Sequence, residues 1–182
     1  MTIKKFSTLI IFIAFCVAIS CQSAIAAESV PSSKFQSILQ TGKLRVGVAL
    51  FTPWVFKDNN GNLAGFEIDV AKKLAKDMNL KPKFVSYDWN ELIPALMGGE
   101  IDIIVAGMAI TPQRALKIIF SQPYATAGIN IATNLSLTKD VEGLDELNQS
   151  KIKIGVVSET VSEDLAGQIF ERASLVKYKT SK

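Results

Sequence analysis

Gly107-Met-Ala-Ile-Thr-Pro-Gln-Arg114 is the stretch that decides how this chain folds. The six residues before it, 101–106, form an apolar run with the length and branching of a buried strand. Thr111 is a favourable N-cap residue, and Pro112 suits the first helical position, where a missing N–H costs nothing. The stretch therefore predicts a strand, a close turn at the glycine and a helix whose first amides lie beside the Arg114 guanidinium.

This arrangement supplies the groups of an anion-binding site. Free amides at a helix N-terminus, a hydroxyl and a guanidinium together suit a carboxylate. An ordinary strand-to-helix connection with a surface arginine fits the same eight residues equally well. The remainder of the chain has to decide between the two interpretations.

Residues 1–26 have the features of a secretory signal peptide. Two lysines at 4–5 precede an apolar run over 9–19, and Ala24-Ile-Ala26 fits the small-residue cleavage pattern. The run is too short to cross a bilayer comfortably. We therefore predict cleavage after residue 26 and export to the periplasm, leaving 182 − 26 = 156 residues. The alternative is a lipoprotein anchored at Cys21, since the residues before it loosely resemble a lipobox.

Composition excludes several classes of function. The chain has no histidine, and both of its cysteines, Cys16 and Cys21, lie in the predicted leader. The exported part is therefore expected to form no disulfide, no thiolate or imidazole zinc site and no histidine-based triad. Without Lys4 and Lys5, 20 − 2 = 18 basic residues stand against 17 acidic ones. This balance gives no support for nucleic-acid or membrane-surface binding.

Strands and helices alternate in the first part of the exported chain. The predicted elements are strands at 43–50, 83–87 and 101–106, an aromatic-rich loop at 51–56, a hairpin turn at 57–62, a helix over 65–78 and a helix capped by 88–91. Such alternation implies parallel pairing with right-handed crossovers. In the 65–78 helix, Phe66 is predicted on the buried face. Glu67 and Asp69 lie in its first turn, where carboxylates complement the helix dipole.

The pattern begins again near the end of the chain. Residues 151–157 predict a strand, Thr160 to Glu163 a capping box, and 175–178 a further strand. The helix between these strands is predicted to bury Leu165, Ile169 and Phe170. An α/β fold with two units, joined by an extended crossing at 128–133, is therefore expected.

Five motifs, taken in order, resemble those of a known family. They are Gly65-Phe-Glu-Ile-Asp-Val-Ala71, Trp89-Asn-Glu-Leu-Ile-Pro-Ala-Leu96, Gly99-Glu-Ile-Asp102, Ala106-Gly-Met-Ala-Ile-Thr-Pro-Gln-Arg114 and Phe120-Ser-Gln-Pro-Tyr124. The chain resembles the periplasmic solute-binding proteins of family 3, the polar amino-acid receptors of ABC importers. The resemblance implies a two-lobe, type II-like periplasmic-binding-protein fold with ligand in the interlobe cleft. Lobe 1 would cover residues 27–127. The crossing segment would cover 128–133, and a partial lobe 2 would cover 134–182.

The resemblance also implies a carboxylate site around the opening stretch. Arg114 matches the arginine that pairs with the α-carboxylate of the ligand, for which its planar fork is suited. The amide of Ala109 matches a second donor to that carboxylate, and the carbonyl of Gly107 an acceptor for the ligand ammonium. Met108, between them, belongs to the same binding segment.

Four further positions complete the implied site. Phe51 and Trp89 match aromatic residues that hold the ligand side chain between them, at strand ends where α/β sheets bind ligands. Thr160 and Val161 match the loop of the second lobe whose amides reach the carboxylate. Phe51 and Trp89 could instead be ordinary core aromatics.

Three departures from the family pattern affect these expectations. Ala109 lacks the hydroxyl that many members place there. Val48 stands where several members have an aspartate that contacts the ligand side chain, which favours a neutral or polar ligand over lysine, arginine or glutamine. The second lobe is shorter than the family plan, so a fragment, a truncated gene product or one half of a split protein is expected.

The expected function is the extracytoplasmic amino-acid-binding component of an ABC importer, acting as a monomer with a permease in the inner membrane. Neither an enzymatic activity nor a cofactor, metal or nucleic-acid partner is expected. Two alternatives remain. A cyclohexadienyl dehydratase-like enzyme on the same fold would need an acid in the second lobe, for which Glu159 and Glu163 are the candidates. A non-functional fragment of a binding protein is the other.

Overall fold

The computed structural model describes residues 33–180. The helices are α1 (Lys34–Thr41), α2 (Phe66–Asp77), α3 (Leu92–Met97), α4 (Pro112–Ala115), α5 (Leu135–Thr138) and α6 (Val161–Ile169), with 3-10 turns at Trp89–Glu91 and Leu144–Leu147. The strands are β1 (Lys43–Val48), β2 (Phe56–Lys57), β3 (Leu63–Ala64), β4 (Lys81–Ser86), β5 (Ile103–Ile104), β6 (Lys153–Val157) and β7 (Ser174–Tyr178). The predicted signal peptide and the alternative anchor at Cys21 lie outside the described residues.

Three parallel strands form the first sheet, in the order β4-β1-β5. β1 lies in the centre, where Val46 pairs with Phe84 on one side and with Ile103 on the other. α2 packs against β1, and its Ile68 joins Val46 in the main hydrophobic core. The apolar character of β1 on both faces follows from this central position. The predicted α/β arrangement with parallel pairing is confirmed.

β6 and β7 form a separate two-stranded parallel sheet, and α6 is the connection between them. A small core is shared by Leu147, Val156, Ala166 and Phe170. Burial of Phe170 is therefore confirmed, but burial of Leu165 and Ile169 is wrong, because they are 37% and 40% exposed. Ala166 and Phe170 lie four positions apart on one helix face. A two-stranded sheet is too narrow to cover more than this one face, so Leu165 and Ile169 stay exposed.

Two details of the first part also differ from the sequence-based expectation. The strand predicted at 101–106 is shorter, Ile103–Ile104, although the amides of Asp102 and Val105 on either side also donate to β1. Phe66 is 44% exposed rather than buried. As the first residue of α2 it lies beyond the core and contacts the Trp54 ring edge-on, with 5.5 Å between ring centroids.

Residues 121–134 lead from the first sheet toward the second and are exposed, with no helix or strand assigned along them. The predicted crossing at 128–133 falls inside this segment, and the predicted domain boundaries stay a prediction. Between residues 33 and 180, no helix is long and apolar enough to cross a membrane.

An ion pair joins β1 to the turn before β5. Arg45 donates through Nε and Nη2 to the Asp102 carboxylate at 3.0 and 2.5 Å, and its backbone amide donates to the same group at 2.9 Å. The Asp102 side chain is only 2% exposed. The pair raises the pKa of Arg45. Because a buried carboxylate needs donors, this contact ties together two neighbouring strands of the first sheet.

Arg45→Ala is expected to lower the free energy of unfolding by about 2 kcal/mol, because it removes two charge-assisted donors from a buried carboxylate. This loss is smaller than for a fully buried ion pair, because the arginine side chain is 36% exposed. Urea unfolding followed by circular dichroism measures it. Lys43→Ala, an exposed change on the same strand, is the control and should cost less than about 0.5 kcal/mol.

Candidate functional site

The turn between β5 and α4 has the form that its sequence predicts. Gly107 adopts φ +62°, a conformation that favours glycine. Thr111 is the N-cap of α4 and accepts from the Arg114 amide at 3.3 Å, with Pro112 at the first helical position. The backbone thus leaves the first sheet, turns closely and delivers Arg114 to the carboxyl end of the parallel strands.

The Arg114 guanidinium is held from three directions. It donates through Nη1 to the Ala109 carbonyl at 2.9 Å and through Nη2 to the Glu159 carbonyl at 2.9 Å. Its Cζ lies 5.4 Å from the centroid of the Trp89 ring, in cation–π range. Burial lowers the pKa of Arg114, and the neighbouring Asp164 and Glu159 oppose that shift. The guanidinium is therefore charged, half-buried and fixed in orientation.

Trp89 reaches the same place from the carboxyl end of β4. It begins a 3-10 turn that is capped reciprocally by Asp88 and Glu91, as the sequence predicts. Its indole Nε1 donates to the Glu159 carbonyl at 3.0 Å. Trp89 and Arg114 therefore present two N–H donors to one oxygen atom.

The loop after β6 supplies the opposite side. Thr160 is the N-cap of α6 and accepts from the Glu163 amide at 3.3 Å, while its hydroxyl donates to the Val157 carbonyl at 2.7 Å. The predicted capping box is only half formed, because the Glu163 carboxylate accepts from the Glu159 amide at 2.7 Å instead. Val161 is the first residue of α6.

The structure thus brings together Trp89, Ala109, Arg114 and the loop that carries Thr160 and Val161. Among residues 33–180, Phe51 makes no hydrogen bond or ring contact with this group; it lies in an isolated bridge with Val55, and its side chain is exposed. Within the described chain, the ring contacts join Trp54, Phe66 and Tyr124 rather than Phe51 and Trp89. Met108 is half-buried against the small cluster around Leu92. Residues 33–180 contain no group of side chains arranged to hold a metal ion.

The sequence predicts for Glu67 only a place in the first turn of its helix, but the structure buries its carboxylate next to this site. Glu67 is only 1% exposed and accepts from the Tyr124 hydroxyl at 2.5 Å. A Cβ atom on Gly107 would lie 3.5 Å from Glu67 Oε1, so the carboxylate underlies the turn that leads to Arg114. First-turn placement explains Asp69, which is exposed, but it does not explain Glu67. Glu67 links the turn to the start of the segment 121–134.

Tyr124→Phe tests this link through its pH dependence. Partial burial of the hydroxyl and its hydrogen bond to Glu67 raise the pKa of Tyr124. Its stabilisation is therefore complete below the unfolded value of about 10 and is lost as the pH rises toward the folded value. The variant should lose about 1–2 kcal/mol at neutral pH and show a shallower decline in unfolding free energy above about pH 10. Urea titrations across this range measure both effects. Tyr178→Phe, at an exposed position on β7, is the control; equal slopes in wild type and Tyr124→Phe would contradict the assignment.

Two α/β units, in which donors of the first meet a carbonyl of the second, are the features of a two-lobed binding protein. Residues 44–162 match the model of the bacterial extracellular solute-binding proteins, family 3, and this match spans more than half of the chain. The chain belongs to that family. The fold class and the resemblance expected from the sequence are therefore confirmed.

Individual relatives agree with this membership. The octopine-binding periplasmic protein of Rhizobium meliloti is 45% identical over 74 residues, which cover 41% of this chain and 25% of that protein. The histidine-binding periplasmic protein of Escherichia coli (strain K12) is 31% identical over 149 residues, which cover 80% of this chain and 55% of that protein. This chain therefore spans about half the length, or less, of these curated relatives.

A similar solved structure is that of the ancestral amino acid-binding protein AncCDT-1, a precursor of cyclohexadienyl dehydratase. It is 38% identical with a TM-score of 0.78, and the match covers 81% of this chain and 66% of that chain.

Proposed function

We propose that this protein is an extracytoplasmic amino-acid receptor in which Arg114 binds the α-carboxylate of the ligand. The observation that carries the proposal is the pair of donors from Trp89 and Arg114, which meet at one oxygen atom in front of the α6 N-terminus. A fixed guanidinium with a second N–H donor beside it suits a carboxylate oxygen. The amide of Ala109 and those of Thr160 and Val161 would add donors around the same group.

The rest of the ligand is proposed to lie against Trp89, with Phe51 and Met108 nearby and with the Gly107 carbonyl accepting from the ammonium group. An amino acid is small, so its affinity depends on charge-assisted hydrogen bonds and on contact with desolvated rings. The relatives named for histidine and octopine support an amino acid or a related zwitterion as the ligand class. Val48 gives a charged ligand side chain no partner, which keeps neutral and polar amino acids in the proposal.

The same geometry favours binding over catalysis. A dehydratase would need an acid in the second unit, but Glu163 is paired with Lys177 and accepts from the Glu159 amide. These contacts lower the pKa of Glu163, so it keeps its negative charge and is a poor proton donor. Glu159 is exposed at the loop tip. Its partners at the site are reached through its backbone carbonyl.

In this proposal the receptor works in the periplasm with an ABC permease of the inner membrane. Lobes at 27–127 and 134–182 would close on the ligand about the crossing at 128–133, and the permease would recognise the closed form. Periplasmic relatives support this location.

Calorimetry on protein purified from the periplasm of an expression host tests the proposal. The panel is histidine, glutamine and cystine as polar ligands and arginine and lysine as cationic ones, with aspartate as the dicarboxylate control and prephenate consumption assayed in parallel. At least one amino acid should give saturable heat, and prephenate should persist. Prephenate turnover without amino-acid binding would establish the enzyme instead, and silence in both assays would mark the chain as a non-functional fragment.

A further inference from the structure

Glu159 has an unusual backbone conformation. Its φ is +60°, and among residues 33–180 the other non-glycine residue with a positive φ is Asn79. Asparagine tolerates the left-handed region through local hydrogen bonds, whereas a residue with a longer side chain adopts it only where its surroundings hold it there. Such an outlier next to a candidate site calls for a functional explanation.

Contacts within the second unit hold this conformation. The Glu159 amide donates to Glu163 Oε2 at 2.7 Å, and Glu163 Oε1 pairs with Lys177 Nζ on β7 at 2.5 Å. Thr160 next in sequence is fixed as the N-cap of α6. The loop tip is therefore tied both to the helix and to the second strand of its own sheet.

This backbone conformation sets the direction of the Glu159 carbonyl. It accepts from Trp89 Nε1 at 3.0 Å and from Arg114 Nη2 at 2.9 Å, so both donors from the first unit end on this single oxygen. These are the donors that the proposed function assigns to a ligand carboxylate. A carbonyl oxygen has the size and the hydrogen-bonding role of one carboxylate oxygen, but it carries no full charge.

We propose that Glu159 is a positioning residue whose carbonyl occupies the ligand carboxylate position when no ligand is bound. It keeps the Arg114 guanidinium stacked on Trp89 and keeps the two units together. This inference rests on the proposed function, since it names what the ligand displaces. A carboxylate replaces the carbonyl because charge-assisted hydrogen bonds are shorter and stronger than those to a neutral acceptor.

The test changes the backbone preference at position 159, because a carbonyl itself cannot be removed by substitution. Glu159→Val disfavours a positive φ, while Glu159→Gly allows it and also deletes the carboxylate. Both are made with Trp54→Phe, which leaves Trp89 as the single tryptophan of the two in the chain. Acrylamide quenching of Trp89 without ligand then reports whether the indole is still held.

Glu159→Val should raise the quenching constant of Trp89 about twofold relative to Glu159→Gly, as the held population is lost. Asn79→Val makes the same type of backbone change at the other left-handed position and should leave Trp89 quenching unchanged. If Glu159→Val does not fold, Glu163→Ala replaces it, because it removes the acceptor that fixes the Glu159 amide. Equal quenching in the valine or alanine variant and in Glu159→Gly would overturn the proposal.

A second measurement separates this inference from the proposed function. With L-histidine as the probe, freeing the site should increase apparent affinity about fivefold in Glu159→Val, since less of the protein is occupied by its own carbonyl. Unchanged or weaker affinity in a folded variant would count against the inference while leaving the receptor function intact. If L-histidine does not bind at all, the quenching experiment decides alone, because it requires no ligand.

Discussion

Arg114→Ala should abolish amino-acid binding, with an affinity loss of at least about 100-fold for whichever ligand calorimetry identifies. The guanidinium supplies the positive charge at the proposed carboxylate position, and its orientation is fixed by the Trp89 ring and the Ala109 carbonyl. Removing it leaves the ligand carboxylate desolvated beside neutral amides. Arg114→Lys keeps the charge but loses the planar fork, so we expect an intermediate loss of about tenfold or more.

A matched control is available on the same short segment. Lys117 is an exposed cation three positions further on, and Lys117→Ala should leave affinity unchanged. Thermal unfolding of each variant separates a lost contact from lost folding, because the Thr111 cap of α4 involves the Arg114 backbone and not its side chain. Wild-type affinity in a folded Arg114→Ala protein would show that the carboxylate site is misassigned.

Local signals account for what the sequence predicts well. Thr111 with Pro112, and Asp88 with Glu91, are capping patterns whose partners lie within a few residues. The strand pattern places Trp89 after β4 and the turn before Arg114 after β5. The observed parallel order β4-β1-β5 puts those strand ends on one edge, on either side of β1. The meeting of Trp89 with Arg114 follows from that topology.

Long-range contacts account for what the sequence does not predict. Glu67 and Tyr124 are 57 positions apart, and nothing near Glu67 distinguishes a buried hydrogen-bonded carboxylate from an exposed one in a first helical turn. The role of Glu159 is carried by its backbone carbonyl, which residue type does not encode. Its positive φ depends on Glu163 and Lys177, and the latter lies on a different element.

Gly65→Ala should lower the free energy of unfolding by about 3–5 kcal/mol, more than Arg45→Ala or Tyr124→Phe. It combines backbone strain with a clash against main-chain atoms. Gly65 precedes α2 with φ +119° and ψ 172°, a region open essentially to glycine alone. A Cβ atom there would lie 2.3 Å from the Trp54 carbonyl oxygen and 2.8 Å from that of Pro53. Neither oxygen belongs to a side chain that could rotate away.

The clash cannot be relieved cheaply, because the loop it strikes is held on both sides. The Trp54 carbonyl accepts from the Glu67 amide at 3.1 Å, and the amides of Trp54 and Val55 donate to the Phe51 carbonyl. Moving the loop would break these bonds and shift both Phe51 and Glu67, so Gly65→Ala should also weaken ligand binding in the fraction that remains folded.

Gly61→Ala is the matched control for this strain. Gly61 also has a positive φ, +82°, but a Cβ atom there would meet nothing within 4 Å. It should therefore lose only the conformational preference of glycine, about 1 kcal/mol. Urea unfolding of the two variants isolates the clash as their difference. A loss in Gly65→Ala no larger than in Gly61→Ala would mean that the loop yields freely, and that the Trp54 carbonyl does not fix the start of α2.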